Sequence, residues 1–418
     1  MTLSTPDPAA DRPVFDPFDP LWASDPFSVY AELRERAPIH RNDLGFWVVA
    51  RHADCLALLR DRRVSSDSLN VDVERVSAGF RTPSAPDDPV TAAMQELRPF
   101  LFRDPPDHTR LRGLVSKAFT PKVVESMRAG TEEVVDQLLD AAMQADQVDL
   151  LDAFAYPLPV RVICDLLGVP LDDQDRFKAW SDDLARGLDP DFLLAQEVID
   201  ARGEALLQFS QYFFELLAER RRHPGDDLLS GLVQVEEEGT VLSEAELLST
   251  CILLLVAGHE TTVNLISGGT LALLEHPDQL ARFRDDPAVQ RSAIEEMLRY
   301  VSPVQLTGRV MLEDLELEGV TFRAGDFAML LIASGNHDPA QFDDPERFDV
   351  SRTPNNHLGF GFGIHHCLGA PLARMEAQVA LGALVRRAPD LALATDRVTY
   401  KHNIVLRGME SLPVAMRG

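Results

Sequence analysis

The long apolar segment at residues 243–276 constrains the fold more than any other part of the sequence. Ser243 opens a capping box, which marks a helix start, and Pro277 ends the helical pattern. A helix of this length measures about 50 Å and crosses an entire domain. Because its middle is apolar on nearly all sides, we expect it to be buried. Strand-like patterns occur only in short stretches, at residues 45–50, 307–322 and 398–405. The sequence therefore predicts a mainly α fold with a minor β sheet.

Polar residues interrupt this helix where it should be most deeply buried. Residues 257–262 read Ala-Gly-His-Glu-Thr-Thr and follow the apolar residues 252–256. Thr261 is spaced to bond the carbonyl of Ala257 one turn back. Acids are rarely buried without a partner, so a polar spot near the surface is the alternative interpretation. We take Glu260, Thr261 and Thr262 as candidate catalytic residues.

A second unusual segment, residues 360–369, contains a cysteine just before a helix-forming run. The free N–H groups and the dipole at a helix start favour the thiolate of Cys367. Gly363 and Gly369 allow tight turns and the close approach of a bulky planar group, and Phe360 places a ring near the sulfur. A thiolate in this setting suits the axial ligand of a haem iron. An inert buried cysteine is the alternative.

This segment resembles the haem-binding signature of the cytochrome P-450 family, Phe-x-x-Gly-x-x-x-Cys-x-Gly, and fills all its fixed positions. Residues 257–262 are similar to the oxygen-activation motif of the same family. The resemblance covers roughly residues 20–415 and is strongest to the soluble bacterial branch. It implies the cytochrome P-450 fold, with haem b between the long helix and the cysteine loop. It also implies a flexible tail at residues 1–20 and a single haem-thiolate monooxygenase domain at residues 21–418.

The resemblance implies roles for individual residues. Cys367 would bind the iron, Thr261 would donate to bound oxygen or position a water, and Glu260 would connect that water to bulk solvent. Gly258 and Ala257 would leave room for oxygen. Glu296, Arg299 and Arg347 would form a buried structural ion network beneath the cysteine loop. The remaining residues implied to bind the cofactor are His108, Arg112, Ala257, Arg309, Phe360, Gly363, His365 and Gly369.

Substrate contacts are expected from residues 62–100 and from apolar positions elsewhere in the chain. Each of these positions could equally serve ordinary core packing. An apolar lining predicts a lipophilic substrate, and family analogy suggests a secondary metabolite such as a polyketide. The apolar positions are Leu253, Val256, Val304, Leu306, Ile404 and Val405.

Composition excludes several classes of partner. The net charge of −27, from 40 basic and 67 acidic residues, argues against binding to nucleic acid or an anionic membrane. The widely spaced cysteines indicate a reducing compartment, and the Pro- and Asp-rich N-terminus resembles neither a signal peptide nor a membrane anchor. We therefore expect a cytoplasmic monomer. Residues 101–122 carry a local positive charge, either as a solvated face or as a docking patch for an acidic electron carrier.

The chain shows no Gly-rich dinucleotide fingerprint and no free cysteine set for an iron–sulfur cluster. Electrons from NAD(P)H would then arrive through a separate ferredoxin or flavodoxin and its reductase. The predicted reaction is hydroxylation or epoxidation with O2. The alternatives are a peroxide-driven peroxygenase on the same fold and a haem-binding sensor without turnover. Neither alternative needs the relay of Glu260 and Thr261.

Overall fold

The computed structural model describes residues 13–19, 25–76, 97–234, 236–237 and 240–417. Much of the predicted tail, and residues 77–96 of the predicted substrate-contacting stretch, lie outside these ranges. The α-helices are α1 (Pro26–Arg36), α2 (His52–Arg60), α3 (Asp107–Ala118), α4 (Pro121–Ser126), α5 (Arg128–Ala142), α6 (Pro157–Leu167), α7 (Gln174–Arg186), α8 (Gln196–Arg222), α9 (Leu228–Gln234), α10 (Glu244–Glu275), α11 (Pro277–Asp285), α12 (Gln290–Tyr300), α13 (Ile332–Asn336) and α14 (Ala370–Arg387). The strands are β1 (Ile39–Arg41), β2 (Trp47–Val49), β3 (Val64–Ser65), β4 (Gln147–Asp149), β5 (Glu236–Glu237), β6 (Thr240–Val241), β7 (Thr307–Met311), β8 (Leu315–Leu317), β9 (Val320–Phe322), β10 (Phe327–Leu330), β11 (Ala392–Leu393) and β12 (Pro413–Ala415).

The predicted central helix is α10, and its boundaries are confirmed. Ser243 accepts a hydrogen bond from the backbone N–H of Glu246, and the Glu246 carboxylate accepts one from the backbone N–H of Ser243, at 3.2 and 2.8 Å. The helix ends before His276, and Pro277 starts α11. By length and composition α10 could cross a membrane, but 67% of its most apolar window is buried inside the protein. It packs against α6, α8, α12 and α14, so it forms the axis of the helical core.

The largest sheet lies beside this helical core and has the strand order β1-β2-β10-β7-β3. Its one parallel pair, β2 with β10, aligns Trp47 with Ala328. Alternate residues of these strands enter different cores: Val48 and Met329 pack on one face, while Val49 pairs with Leu330 on the other. Both faces of this sheet are therefore buried.

The strand predicted at residues 398–405 is wrong. Around it the chain makes only the isolated bridges Val304–Leu406 and Tyr400–Met409 within the described residues. The backbone N–H groups of Ile404 and Val405 are taken up by a carboxylate at 3.0 Å instead of a neighbouring strand. Side chains alternate here as they do in a strand. The backbone N–H groups bond to the carboxylate of Asp189 and not to a neighbouring strand, so no strand forms.

Candidate haem-thiolate active site

The cysteine loop, residues 360–369, leads directly into α14. Its chain reverses through a short 3-10 turn, Gly363–His365, and the backbone N–H of Cys367 donates to the Phe360 carbonyl at 2.9 Å. Of the four cysteines only Cys367 is exposed. The loop therefore presents one accessible sulfur just before the first turn of α14.

Close packing explains Gly363. Its φ of +71° lies in the left-handed region, and a Cβ there would stand 2.5 Å from the carbonyl oxygen of Leu59 in α2. Gly369 differs, since its φ is −80° and an added Cβ would lie 4.0 Å from the Cys367 sulfur. Gly363 therefore lets the loop pack directly on α2, whereas an added Cβ at Gly369 would make no closer than ordinary contact with the sulfur.

The helix start stabilises the Cys367 thiolate less than the sequence predicted. Burial raises the pKa of this thiol, and the N–H groups of Gly369 and Ala370 with the charge of Arg112 offset only part of that increase. The sulfur is accessible at the cleft, yet the protein surrounds it closely enough for desolvation to dominate. A metal ion bound to Cys367 would remove the thiol proton outright, so the loop residues need to lower this pKa only in part.

Beside the sulfur lies a cluster of buried cationic and hydrogen-bonding side chains. Both ring nitrogens of His108 and Nδ1 of His365 are buried without a hydrogen-bond partner, and the two rings stand 4.3 Å apart between centroids. Burial lowers the pKa of Arg309 to about 10. Burial, with the neighbouring His108, Arg309 and Arg112, lowers the pKa of His365 to about 3. This cluster fits an anionic partner.

The nearest acid is already engaged. The Asp104 carboxylate accepts hydrogen bonds from Ser65, from Asn70 at 3.2 Å and from the backbone of Ser66 at 3.3 Å. Arg309 donates to the Thr307 hydroxyl and the Gly308 carbonyl, which are neutral groups. The paired propionates of haem supply the carboxylates that such a cluster binds, so the residues present fit this cofactor.

Arg112 holds the loop as well as facing the cluster. Its Nη2 donates to the carbonyl of His366 at 2.6 Å, next to Cys367 in the chain. Burial lowers the pKa of Arg112, and the cysteine sulfur partly restores it. Arg112 therefore attaches α3 directly to the cysteine loop.

The polar interruption of α10 presents different residues to different sides. Ala257 is exposed and Thr261 is half-buried, one turn apart on the same face, and the Thr261 hydroxyl donates to the Ala257 carbonyl at 2.8 Å. Exposed surface in the middle of a buried helix borders an internal space. This face is where Thr261 can meet a ligand.

Gly258 and Thr262 lie on a neighbouring face of α10, away from the face of Ala257 and Thr261, which corrects two expectations. A Cβ on Gly258 would lie 3.0 Å from the side chain of Ile163 in α6, so this glycine faces the close contact with α6. Thr262 is buried one turn along the same side, and its hydroxyl donates to the Gly258 carbonyl at 3.2 Å. Thr262 therefore belongs to the α6 contact.

The buried Glu260 reaches a cavity on another side of α10. Its Oε1 accepts from Nζ of Lys401 at 3.1 Å, while its Oε2 is buried without a partner. Glu260 and Lys401 line a cavity of about 190 Å³ together with Asp182 and Arg186. Burial and the charge of Glu260 raise the pKa of Asp182, which favours the protonated acid there.

The predicted ion network exists with a different third member. Glu296 receives a bidentate pair of bonds from Arg299, both 2.8 Å, in a fully buried site. The third side chain is Arg352, whose Nε lies 3.1 Å from the same carboxylate. The assignment of Arg347 is wrong because its side chain is exposed; only its carbonyl takes part, accepting from Arg299 and Arg352 at 3.2 and 2.9 Å.

The expected substrate contacts fall into two groups. Leu306 and Ile404 are buried in the core on one face of the large sheet. The partly buried positions are Leu253, Val256, Val304 and Val405. Only the partly buried residues retain surface that a ligand can contact. Leu306 and Ile404 belong to the core that supports them.

A family model described as "Cytochrome P450" matches residues 78–388. The chain is a cytochrome P450. It is 40% identical over 97% of its length to "Polyketide biosynthesis cytochrome P450 PksS" of Bacillus subtilis (strain 168), covering 99% of that protein. It is 42% identical over 94% of its length to "6-deoxyerythronolide B hydroxylase" of Saccharopolyspora erythraea, covering 96% of it.

The fold matches solved structures of the family. The Bacillus subtilis 168 structure titled as the bacillaene polyketide synthase P450 PksS has a TM-score of 0.86, with 97% of this chain and all of that chain covered. Like its relatives, the chain is a haem-thiolate monooxygenase, with the haem between α10 and the cysteine loop. Its haem supplies the iron at which O2 is bound and activated.

Sequence reasoning missed Arg352, Lys401 and Asp182. Arg352 lies five positions beyond the predicted Arg347, in the same meander, so its motif indicated the region and not the residue. Lys401 and Asp182 reach Glu260 from 141 and 78 positions away, separations across which a single sequence shows no signal. An unexplained buried acid was the one available hint that such partners existed.

The corrected ion network yields a paired test. Replacing Arg352 with Ala should lower the free energy of unfolding by about 2–3 kcal/mol, because Glu296 loses a charged partner in a buried site. Replacing Arg347 with Ala should change it by less than about 0.5 kcal/mol, since an exposed side chain is removed and the carbonyl stays. Urea unfolding of the haem-loaded proteins measures both. Equal losses in the two variants would contradict the assignment of Arg352.

Replacing Cys367 with Ser should abolish thiolate ligation of the haem, because an alcohol stays protonated at neutral pH. The absorbance of the reduced, carbon-monoxide-bound form reports the ligand. The parent should show the red-shifted thiolate band and the variant should lack it. Cys164→Ser, at a buried cysteine in α6, is the control and should keep the band. Retention of the band in Cys367→Ser would exclude this residue as the ligand.

Proposed function

We propose that this P450 hydroxylates or epoxidises a lipophilic secondary metabolite, using O2 and electrons from NAD(P)H passed through a separate ferredoxin or flavodoxin and its reductase. One observation carries the proposal. At the centre of a buried apolar helix, Thr261 lies on the accessible face, and the adjacent Glu260 reaches a polar cavity. A protein that only binds haem has no use for this arrangement.

The chain's own residues provide a route for protons. Lys401 holds one oxygen of Glu260, and the unpartnered Oε2 is left to exchange a proton with water in the cavity. Asp182 lines the same cavity as a second acid whose pKa is raised. Thr261 can accept a hydrogen bond from water while its own hydroxyl donates to Ala257. The relay then runs from the cavity through Glu260 and water to Thr261.

The lining supports a lipophilic substrate. Leu253 and Val256 lie on α10 within two turns of Thr261, and Val304 and Val405 belong to segments joined by the Val304–Leu406 bridge. These side chains offer dispersion contacts and no charge. The names of the two relatives, one in polyketide biosynthesis and one a hydroxylase of 6-deoxyerythronolide B, favour a polyketide-like product of secondary metabolism as the substrate class.

The cysteine-loop surface supports docking of an acidic electron carrier. Phe362 and Ile364 of the loop are exposed, and the guanidinium of Arg60 lies 4.2 Å from the Phe362 ring. On α3, which Arg112 ties to the loop, Lys117 is also exposed. Apolar side chains ringed by positive charge are typical of a transient interface with an acidic partner. In a chain of net charge −27 such a surface is distinctive.

We further propose that residues 21–418 form one catalytic domain acting as a cytoplasmic monomer. The relatives match over nearly their whole length, which supports a single shared unit. The peroxygenase and sensor alternatives are less favoured, since neither activity uses Glu260 and Thr261. Compound-stimulated NADPH consumption with an oxidised product would support the monooxygenase. Product formed only with added peroxide would favour the peroxygenase.

Replacing Thr261 with Ala should separate electron use from product formation. Positioned proton transfer contributes about 10²–10⁴ in rate, so product per NADPH should fall at least about tenfold, with hydrogen peroxide released in its place. A compound that shifts the haem spectrum on binding serves as substrate, and its affinity should stay unchanged. Thr262→Ala is the matched control, since that hydroxyl faces α6. Equal yields from parent and Thr261→Ala would rule out Thr261 as the relay residue.

Replacing Lys117 with Glu should slow reduction by an acidic ferredoxin, most clearly at low ionic strength, where charge attraction is least screened. The haem spectrum should stay unchanged because Lys117 is exposed on α3. Stopped-flow reduction at two salt concentrations measures the effect. Lys178→Glu, on α7 away from the cysteine loop, is the control. If Lys117→Glu is reduced at the parental rate in low salt, the carrier docks elsewhere.

A further inference from the structure

A cavity of about 450 Å³ lies beside the cysteine loop and is distinct from the one that Glu260 lines. Ionisable side chains from separate segments meet in it, among them Glu295 of α12, His357 before the loop, His366 of the loop and Arg374 of α14. Neither the cluster that fits haem nor the route for protons includes Glu295, His357 or Arg374. The function of these three groups therefore needs its own explanation.

Glu295 holds the guanidinium of Arg374 in place. Nε and Nη2 of Arg374 donate to the two carboxylate oxygens at 2.6 and 2.9 Å, a bidentate geometry that fixes the position of an arginine. Nε2 of His357 donates to the same carboxylate at 3.0 Å, since its Nδ1 accepts from the backbone N–H of Gly359 at 3.1 Å. Burial raises the pKa of Glu295, but the hydrogen bonds from His357 and Arg374 lower it to about 2. The carboxylate is therefore ionised at neutral pH.

The same guanidinium contacts the cysteine loop. Its carbon lies 4.5 Å from the centroid of the Phe360 ring, within the range of a cation–π contact. The carbonyl of Phe360 accepts the backbone N–H of Cys367 at 2.9 Å. Arg374 therefore links α12 to the part of the loop that carries the sulfur.

The charge of Arg374 also acts on the sulfur. Burial raises the pKa of the Cys367 thiol, and the charge of Arg374 is one of the influences that oppose this increase. Burial lowers the pKa of the adjacent His366, and the charge of Arg374 lowers it further. A positive charge that favours the thiolate over the thiol also favours any further negative charge placed on this sulfur and its metal ion.

We propose that the pair of Arg374 and Glu295 sets the reduction potential of the haem iron bound at Cys367. Reduction adds one negative charge to the iron and its ligands, so the guanidinium favours the reduced state, and the carboxylate of Glu295 partly cancels this effect. Groups outside the ligand set tune the potential of a metal site in this way. The inference rests on Cys367 binding the iron, which the spectrum of Cys367→Ser tests separately, and it requires neither turnover nor a redox partner.

Spectroelectrochemical titration of the haem-loaded, substrate-free protein measures the potential. Arg374→Gln removes the positive charge, so the equilibrium should shift towards ferric iron by at least about threefold, or about 28 mV for one electron at 59 mV per tenfold. Glu295→Gln removes the negative charge but keeps an acceptor for Arg374, so the equilibrium should shift towards ferrous iron by at least about twofold, or about 18 mV on the same scale. Opposite signs identify an effect of charge, since structural damage alone would move both variants in the same direction.

Two further variants serve as controls. Arg374→Lys keeps the charge, and its potential should stay within about twofold of the parental equilibrium. Arg60→Gln removes a guanidinium that lies 4.2 Å from the ring of Phe362 in the same loop. Because Phe362 is on the exposed surface of the loop, this change should also shift the equilibrium by less than about twofold. The red-shifted band of the reduced, carbon-monoxide-bound form checks that each variant keeps its thiolate ligand.

An unchanged potential in Arg374→Gln would overturn the proposal. Shifts of the same sign in Arg374→Gln and Glu295→Gln, or an equal shift in Arg60→Gln, would overturn it as well. If Arg374→Gln fails to retain haem, Glu295→Gln still gives an answer: a shift towards ferrous iron supports the proposal, and no shift or a shift towards ferric iron contradicts it.

Discussion

The structure depends on an electrostatic requirement beside Cys367. His108, Arg112, Arg309 and His365 converge in a buried place where the protein's own nearby acid, Asp104, is already engaged. Burying positive charge and unpaired ring nitrogens costs free energy that an anionic partner offsets. The propionates of haem would supply that partner, and its iron would bind the cysteine. The cofactor is therefore part of the folded core, and the loop, α3 and the sheet are arranged around it.

Different faces of the central helix α10 carry residues with different neighbours. One side of α10 carries Gly258 and Thr262 and packs closely on α6. A second side carries Ala257 and Thr261 and borders an internal space, where we propose that haem and oxygen bind. Glu260 leaves the helix in a third direction, towards Lys401. Successive residues on a helix point about 100° apart, so a six-residue polar motif serves packing, ligand and proton supply at once.

Contacts between residues far apart in the sequence join the helices to the loops around them. Glu296 and Arg299 are three residues apart on α12, but they support the meander only because Arg352 and several carbonyls close the network. The carboxylate of Asp189 likewise joins residues 187–195, which connect α7 and α8, to residues 404–405. In both places a buried carboxylate gathers donors from segments far apart in the chain.

The sequence by itself determined what local chemistry dictates. The capping box at Ser243, the proline that ends α10, the thiol at a helix start and the paired Glu296 and Arg299 all act within a few residues, so their spacing predicted them. The family signature around Cys367 then indicated the fold and the cofactor.

Only the tertiary structure decided which partners meet. It replaced Arg347 with Arg352, because a meander's turns determine which side chain faces inward. It assigned Gly258 to a helix contact, and it removed the strand expected at residues 398–405, whose N–H groups bond to Asp189. Such outcomes depend on segments 56 or 215 positions apart coming within hydrogen-bond distance, and a local pattern carries no information about that distance.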